Sequence, residues 1–254
     1  MWSEVLKRSD AGVWSTISNR DLPPPGLVIM FASSEAMRRS DHAQELMRKF
    51  PNALHIGSST GTAVQGRELT DDASVAMALG FANTRVELAT RKLADPADSE
   101  AAGHALGSEL AAPDLAAIFV LSDGLSVNGS ALVRGLVGAV GPSVSVSGGL
   151  AGDGPRFEET LVSVAGVAMP NAIAAVGLYG SALRVAHGSA GGWDTFGPKR
   201  LITRAAGNVL YELDGMPALD LYERYLGEEA AQLPASGLLY PLKVWDAAAP
   251  ENEV

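Results

Sequence analysis

In the stretch VSVSGGLAGDG, residues 144–154, a β-branched run that is predicted to be a strand leads directly into a loop with four glycines. The loop does not match a known phosphate-binding motif. A P-loop requires a lysine after its last glycine, but the first basic residue here is Arg156. The dinucleotide fingerprint is absent because Gly148 and Gly149 are adjacent, and Asp153 would repel a phosphate. The loop is therefore either a tight turn or one wall of a ligand pocket.

A similar loop, GSSTG at 57–61, also follows a predicted strand. The sequences around the two loops predict a similar order of strands and helices. Each loop ends a strand–helix–strand pattern, and further strand patterns follow it. Ile29 matches Ile118 in the first strands, and Gly57 matches Gly148 in the loops. This self-similarity predicts an internal duplication, with copies at about 27–89 and 116–188.

Loops that follow the carboxyl ends of strands line the ligand crevice of open α/β sheets. Glycine in such a loop lets a ligand approach the backbone amides, because it carries no side chain. If the two copies face each other, their loops build one shared pocket. Its predicted lining is Gly57, Ser58, Ser59, Gly61, Gly148 and Gly149. The alternative is that these glycines only make turns.

The strand and helix patterns predict a mixed α/β fold of internally duplicated β-α-β-plus-hairpin units, with mixed sheets layered with helices. A four-layer αββα sandwich is the alternative, because predicted hairpins outnumber helices. We expect an amphipathic N-terminal arm over 1–25, one domain over 26–227, and the beginning of a further, truncated region over 228–254. The patterns also predict a helix over 33–50, hairpins over 74–89 and 201–215, and strands over 183–188 and 237–245.

The composition excludes several classes of protein. The 254 residues carry a net charge of −10 and include no cysteine. An acidic chain disfavours nucleic acid and anionic membrane surfaces, both of which attract basic faces. Without cysteine the chain has no disulfide, thiolate metal site or cysteine nucleophile. With no secretory leader and no bilayer-spanning apolar run, we expect a cytoplasmic protein that does not associate with membranes.

Several motifs taken together resemble the FIST domain family. They are GGLAGD (148–153), GSSTG (57–61), SDGLSVNG (122–129), TRAAGNVLYELDGMPALDLYERYLG (203–227) and LLYPLKV (238–244). The resemblance covers about residues 26–245 and implies an N-terminal FIST region followed by the start of a C-terminal one. The family often has Gly-Cys-Ser in the first loop. This chain has Gly57-Ser58-Ser59 there, so thiol chemistry is not implied.

The resemblance implies an intracellular sensory module that binds a small polar ligand, such as an amino acid, as the input to signal transduction. Because no output domain follows, we expect a signalling partner such as a histidine kinase or cyclase, and homodimer formation stays open. A ligand carboxylate needs an arginine or backbone amides, so Arg204 is the predicted anchor. Asp153 would hold the ammonium group, and Trp193 would form an apolar wall. The alternative is that Arg204 and Asp153 pair with each other or cap turns.

We expect a sensor that is not an enzyme and has no cofactor. Three other functions stay open. Some FIST relatives are associated with haem, for which His55 or His187 would be the axial ligand. Ser58 or Ser59 would be the nucleophile of a hydrolase, although the loop does not lead into a helix as a nucleophile elbow does. The third alternative function is that of an assembly module, which contacts other proteins and binds no small ligand. No metal site is expected, because the histidines lack the spacing of a helical zinc site.

Overall fold

The computed structural model describes residues 1–8, 12–16, 22–71, 73–188 and 192–245. The chain divides into two compact units, Met1–His187 and Gly188–Val254, and each is described by itself. Residues 9–11 and 17–21 of the expected arm, and 246–254 of the expected last region, lie outside the described residues.

The first unit combines strands and helices along its whole length. Its strands are β1 (Trp2–Arg8), β2 (Trp14–Thr16), β3 (Leu27–Ala32), β4 (Leu54–Ser59), β5 (Ala63–Gln65), β6 (Glu68–Thr70), β7 (Val75–Gly80), β8 (Arg85–Lys92), β9 (Leu115–Ser122), β10 (Ser145–Leu150), β11 (Val162–Val164), β12 (Val167–Met169) and β13 (Ala172–Tyr179). Its α-helices are α1 (Ser34–Arg39), α2 (Asp41–Lys49), α3 (Ser99–Leu110) and α4 (Gly129–Val140), with a short 3-10 helix over Pro96–Asp98.

The two large sheets of this unit repeat one strand arrangement. The larger has the order β12-β11-β4-β3-β7-β1-β2, and the smaller has the order β10-β9-β13-β8. In the larger sheet β3 runs parallel to β4 and antiparallel to β7, and β7 pairs antiparallel with β1. In the smaller sheet β9 runs parallel to β10 and antiparallel to β13, and β13 pairs antiparallel with β8. The order β4-β3-β7-β1 is therefore matched by β10-β9-β13-β8, over the halves 2–80 and 85–179.

The two sheets pack face to face, and helices cover both outer faces. Leu27 of β3 shares a buried cluster with Leu121 of β9, between the sheets. Its neighbour Val28 points to the opposite face and clusters with Leu46 of α2, as the alternation of a strand requires. A third cluster joins α3 and α4 to the smaller sheet. The mixed α/β class is confirmed, and the arrangement is the four-layer αββα sandwich that the sequence left open.

Three expectations for this unit are wrong. The predicted hairpin over 74–89 is two strands of different sheets, because β7 pairs with β3 and β1 whereas β8 pairs with β13. The expected arm contains β1, whose alternation places Leu6 in the core and whose backbone pairs with β7. The helix predicted over 33–50 is interrupted at Ser40, where a left-handed φ of 57° separates α1 from α2.

The described part of the second unit contains one small sheet and one α-helix. The elements are β14 (Ile202–Ala206), β15 (Val209–Leu213), β16 (Met216–Pro217), α5 (Ala218–Leu226) and 3-10 helices over Gly227–Gln232 and Ala235–Leu238. The predicted hairpin over 201–215 is confirmed by β14 and β15. The strands predicted over 183–188 and 237–245 are wrong. A strand needs a neighbouring strand for its backbone hydrogen bonds, and neither segment has one in the described sheets.

Close packing of α3 on α4 gives a direct test of the layered fold. A Cβ on Gly135 would lie 2.1 Å from the carbonyl oxygen of Glu100, whereas a Cβ on Gly138, in the same helix, would meet nothing within 4 Å. Gly135→Ala should therefore lower the free energy of unfolding by about 1–3 kcal/mol, as overpacking does. Gly138→Ala should raise it by about 0.5–1 kcal/mol, because alanine favours helix. Urea denaturation of both variants checks this, and equal effects would contradict the α3–α4 contact.

Candidate functional site

The carboxyl ends of the four parallel strands meet at one end of the first unit, which we term the strand-end junction. It comprises residues 33–34 after β3, 59–61 at the end of β4, 123–124 after β9, and the segment 151–161 after β10. The 151–161 segment leaves the smaller sheet and reaches the larger one, where β11 pairs antiparallel with β4. Its hydrogen bonds join the two sheets.

Ser59 holds the segment from the side of the larger sheet. Its N–H donates to the carbonyl of Leu161 at 2.8 Å, and its Oγ accepts from the Leu161 N–H at 2.9 Å. Its carbonyl accepts from the Gly152 N–H at 2.9 Å. The residue is 1% exposed. Ser58 is also buried and lies opposite Val162 of β11. Neither buried serine presents a hydroxyl to solvent, so this geometry does not favour a nucleophile.

Asp153 organises the segment through both carboxylate oxygens. Oδ1 accepts from the Ser34 hydroxyl at 2.6 Å and from the Arg156 guanidinium, whose Nε lies at 3.1 Å. Oδ2 accepts from the N–H groups of Glu158 and Glu159, at 3.3 and 3.2 Å. Burial would raise the pKa of Asp153, but these bonds outweigh it and lower the pKa to about 2. Asp153 is thus committed to its own loop, where the sequence predicted an ammonium-binding residue.

Asp123 has the corresponding role after β9. Its Oδ1 accepts from the N–H groups of Leu125 and Ser126 and from the Ser126 hydroxyl, at 2.8–2.9 Å. Its Oδ2 accepts from the Asn171 N–H at 3.0 Å. Burial opposes ionisation, yet these hydrogen bonds lower the pKa of Asp123. The acids of SDGLSVNG and GGLAGD therefore both shape turns at strand ends.

The glycines of the two loops mark places where backbones touch. A Cβ on Gly61 would lie 2.8 Å from the Cα of Gly154, so the loops meet backbone to backbone. Gly57 and Gly148 lie against carbonyl oxygens of neighbouring strands, where a Cβ would come within 2.6 and 1.8 Å. Gly149 differs, because it is exposed and a Cβ there would meet nothing within 4 Å.

The structure brings the two predicted loops into backbone contact, at Gly61 and Gly154. The amides that were expected to face a ligand bond internally, since Thr60 N–H donates to the carbonyl of Ala32 and Gly152 N–H donates to that of Ser59. Buried backbone groups need hydrogen-bond partners, and here the loops supply them to each other. These two amides are therefore used within the protein.

The other two predicted site residues lie in the second unit. Arg204 Nε donates to Glu212 Oε1 at 2.8 Å across the hairpin, and its guanidinium lies 4.5 Å from the ring centre of Tyr211. Trp193 is 66% exposed, and its Nε1 donates to the carbonyl of Leu239 at 3.2 Å. Arg204 is paired with Glu212, and Asp153 is paired with Arg156. Ligand binding by Arg204 or Trp193 stays a prediction.

His55, one of the two histidines proposed as a haem ligand, lies beside a cavity that is too small for a porphyrin. His55 Nε2 donates to the carbonyl of Phe50 at 2.9 Å, and burial lowers the pKa of His55. The cavity beside it, lined by Met30 and Ser163 among others, has a volume of about 10 Å³, enough for about one water molecule. His187 is exposed. Haem binding by either histidine stays a prediction.

A charged cluster joins β1 to α2. Arg8 Nε donates to Glu45 at 3.0 Å, and Arg8 Nη1 contacts His42 Nε2 at 2.7 Å. Because arginine only donates, His42 Nε2 accepts, and His42 Nδ1 carries the proton that it donates to Ser74 Oγ at 2.6 Å. His42 is 5% exposed. Burial, and then the charge of Arg8, lower the pKa of His42 and keep its ring neutral.

Sequence reasoning missed three residues of the junction, namely Ser34, Arg156 and Thr160. Thr160 Oγ1 accepts from the Gly124 N–H at 2.9 Å and so ties the segment to the end of β9. The spacing of Asp153 and Arg156 was a usable signal, because residues three apart in a turn can pair. Nothing local could have found Ser34, which lies 119 residues from Asp153 along the chain.

The fold and junction define a two-sheet α/β sandwich whose parallel strands end at one interlocked set of loops. A family model described as the FIST N domain matches residues 26–216, which is more than half of the chain. The chain therefore belongs to the FIST family, as its motifs predicted. No curated protein matches the sequence. In the described ranges, every helix is too short or too polar to cross a membrane.

Asp153→Asn should lower the free energy of unfolding at pH 7 by about 1–2 kcal/mol, a figure reduced because Arg156 is half exposed and screened by water. The folded pKa of about 2 lies below the unfolded value of about 3.9. The stabilisation is therefore complete above about pH 4 and is lost as the pH falls toward 2. Urea unfolding between pH 2.5 and about 7 should show this loss in the wild type and not in the variant.

Glu158→Gln is the matched control for that substitution. It removes a carboxylate from the same segment, but the Glu158 side chain is exposed and its contact with Asp153 uses the backbone N–H, which the variant keeps. Its stability should stay within about 0.5 kcal/mol of the wild type. Equal losses in the two variants would show that Asp153 does not organise the junction.

His42→Gln should flatten the pH dependence of stability between about pH 5 and 7. The pKa of His42 is lowered on folding, so below about 6.5 the unfolded chain binds more protons and stability falls with the pH. Glutamine does not titrate, yet it can accept from Arg8 and donate to Ser74. His55, whose pKa is also lowered, supplies the slope that remains. Thermal unfolding at several pH values measures it, and an unchanged slope would rule out the neutral, buried imidazole.

Proposed function

We propose that this chain is the ligand-sensing input module of a signalling pathway and that its ligand is a small zwitterion of the amino-acid type. Membership of the FIST family supports the sensory role. The strand-end junction supports the location, because ligands of α/β folds bind outside the carboxyl ends of parallel strands. The module would act on a separate cytoplasmic protein such as a histidine kinase or cyclase.

The observation that carries the proposal is the position of Arg156 in the 151–161 segment. This segment bonds to the ends of β3, β4 and β9, so it contacts both sheets. Arg156 is part of that network, yet its side chain is 52% exposed. A ligand that binds Arg156 would therefore alter the contacts by which both sheets are joined.

The charges around Arg156 match a zwitterion. Its Nε and Nη2 donate to Asp153 and Ser34, and no contact among the described residues uses Nη1. The pKa of Arg156 is raised by Asp153 first and then by Glu158 and Glu35, whose carboxylates are exposed. A ligand carboxylate would bind the guanidinium, and its ammonium group would bind the exposed carboxylate of Glu158 or Glu35.

The repeated strand order supports an internal duplication, but its halves, 2–80 and 85–179, differ from the predicted copies at 27–89 and 116–188, because β8 belongs to the second half. Two halves with one topology, related face to face, place equivalent strand ends together at a single junction. The proposed sensory function requires only one ligand, bound where the strand ends of the two halves meet. No contact in the described residues favours a haem or a serine hydrolase over this reading.

A thermal-shift screen tests the proposal, because a ligand that binds only the folded state raises its stability. The screen compares the twenty amino acids with their N-acetyl and amide derivatives. At least one amino acid should raise the melting temperature, and its two derivatives should not, because each lacks one charge. No shift from any amino acid would contradict the proposed ligand class.

Two arginine variants locate the site. Arg156→Lys keeps the charge beside Asp153 but loses the guanidinium fork, so the ligand-induced shift should shrink. Arg204→Gln, in the second unit, should keep it. The reverse pattern would favour Arg204 and Trp193 as the binding residues and would refute the junction as the site.

A further inference from the structure

Strand β10 is an open edge of the smaller sheet. It pairs with β9 on one side, and no strand of the described chain lies on its other side. Its last three residues, Gly148, Gly149 and Leu150, are exposed. The outward backbone groups of β10 therefore have no strand partner in the described chain and are available to another strand.

The sequence of β10 does not protect this edge. Proteins usually guard an edge strand with charges, proline, a bulge or shortness. The opposite edge of the sheet, β8, carries Arg85, Glu87, Arg91 and Lys92. The edges of the larger sheet, β2 and β12, are three residues long. In contrast, β10 reads SVSGGL, with neither a charge nor a proline.

The other sheet shows how an equivalent edge is covered. β4 occupies the position of β10 in the repeated arrangement, and β11 pairs antiparallel with it, Val162 opposite Ser58. β11 belongs to a hairpin with β12 that follows β10 in the chain. The corresponding hairpin after β4, formed by β5 and β6, makes a separate two-stranded sheet instead. The edge that is closed in one sheet is thus open in the other.

We propose that β10 pairs antiparallel with β10 of a second copy of this chain, across a two-fold axis, to form a continuous eight-stranded sheet. An antiparallel strand is what closes the equivalent edge of β4. Self-pairing brings no like charges together, because β10 has none, and its small Ser145, Ser147 and Gly149 allow close approach. The same contact would cover Leu150, which is 53% exposed. The inference does not depend on the proposed ligand.

The oligomeric state tests the proposal. Sedimentation velocity of the full chain over a range of concentrations should show a dimer. Gly149→Lys places a charge on the edge where a Cβ meets nothing within 4 Å, so the fold should persist while dimerisation weakens about tenfold or more. Ala101→Lys is the control, because it adds the same charge to the exposed face of α3 and should leave the dimer intact. A monomer at every concentration, or a dimer indifferent to Gly149→Lys, would overturn the proposal.

Engineered cysteines test the antiparallel geometry, and the chain has no cysteine of its own. Single cysteines at Ser145, Ser147 and Gly149 are oxidised in separate variants, with Ser108→Cys on α3 as the control. Residues that face each other across an antiparallel two-fold have Cα atoms about 4.5–5.5 Å apart, within reach of a disulfide. One of the three β10 variants should form a covalent dimer, and the control should not. Failure of all three would contradict an antiparallel pair whose two-fold axis lies at Ser145, Ser147 or Gly149, the small residues on which the proposal depends.

Discussion

The carboxylate of Asp153 is the contact on which the strand-end junction depends. It fixes Arg156, Ser34 and the two amides that follow, and so gives the 151–161 segment one path from the smaller sheet to the larger. The segment then places β11 against β4 and extends the larger sheet. A buried carboxylate with every oxygen bonded is stable, whereas one left unpaired would be costly. The connection between the sheets therefore rests on a fully satisfied polar network.

This constraint explains why the glycine-rich loops look like a binding site in the sequence. Glycines permit the backbone of one loop to touch that of the other, as Gly61 and Gly154 do. The same absence of side chains would suit an approaching ligand. Residue types alone cannot distinguish contact between the loops from ligand binding, because both require backbone without side chains. The hydrogen-bond partners of the loop amides distinguish the two, and here Thr60 and Gly152 donate to carbonyl groups of the protein itself.

The sequence predicted those features that depend on local pattern. The strand–helix–strand pattern before each glycine-rich loop and the hairpin over 201–215 follow from periodicity and turn residues. It failed where long-range pairing decides the structure. β7 and β8 are adjacent in the chain but join different sheets, and Ser34 reaches Asp153 only after folding. The segment over 237–245 has strand composition but no strand beside it.

Native-state hydrogen exchange of three amides tests whether the junction holds the two sheets together. Gly152 and Leu161 donate to Ser59, and Gly124 donates to Thr160, so these bonds join the strand ends of both sheets. If the junction holds the sheets together, these amides exchange as slowly as the core amides of β3 and β9, by the same global unfolding. If all three exchange about a hundredfold faster, the segment opens locally and does not hold the two sheets together.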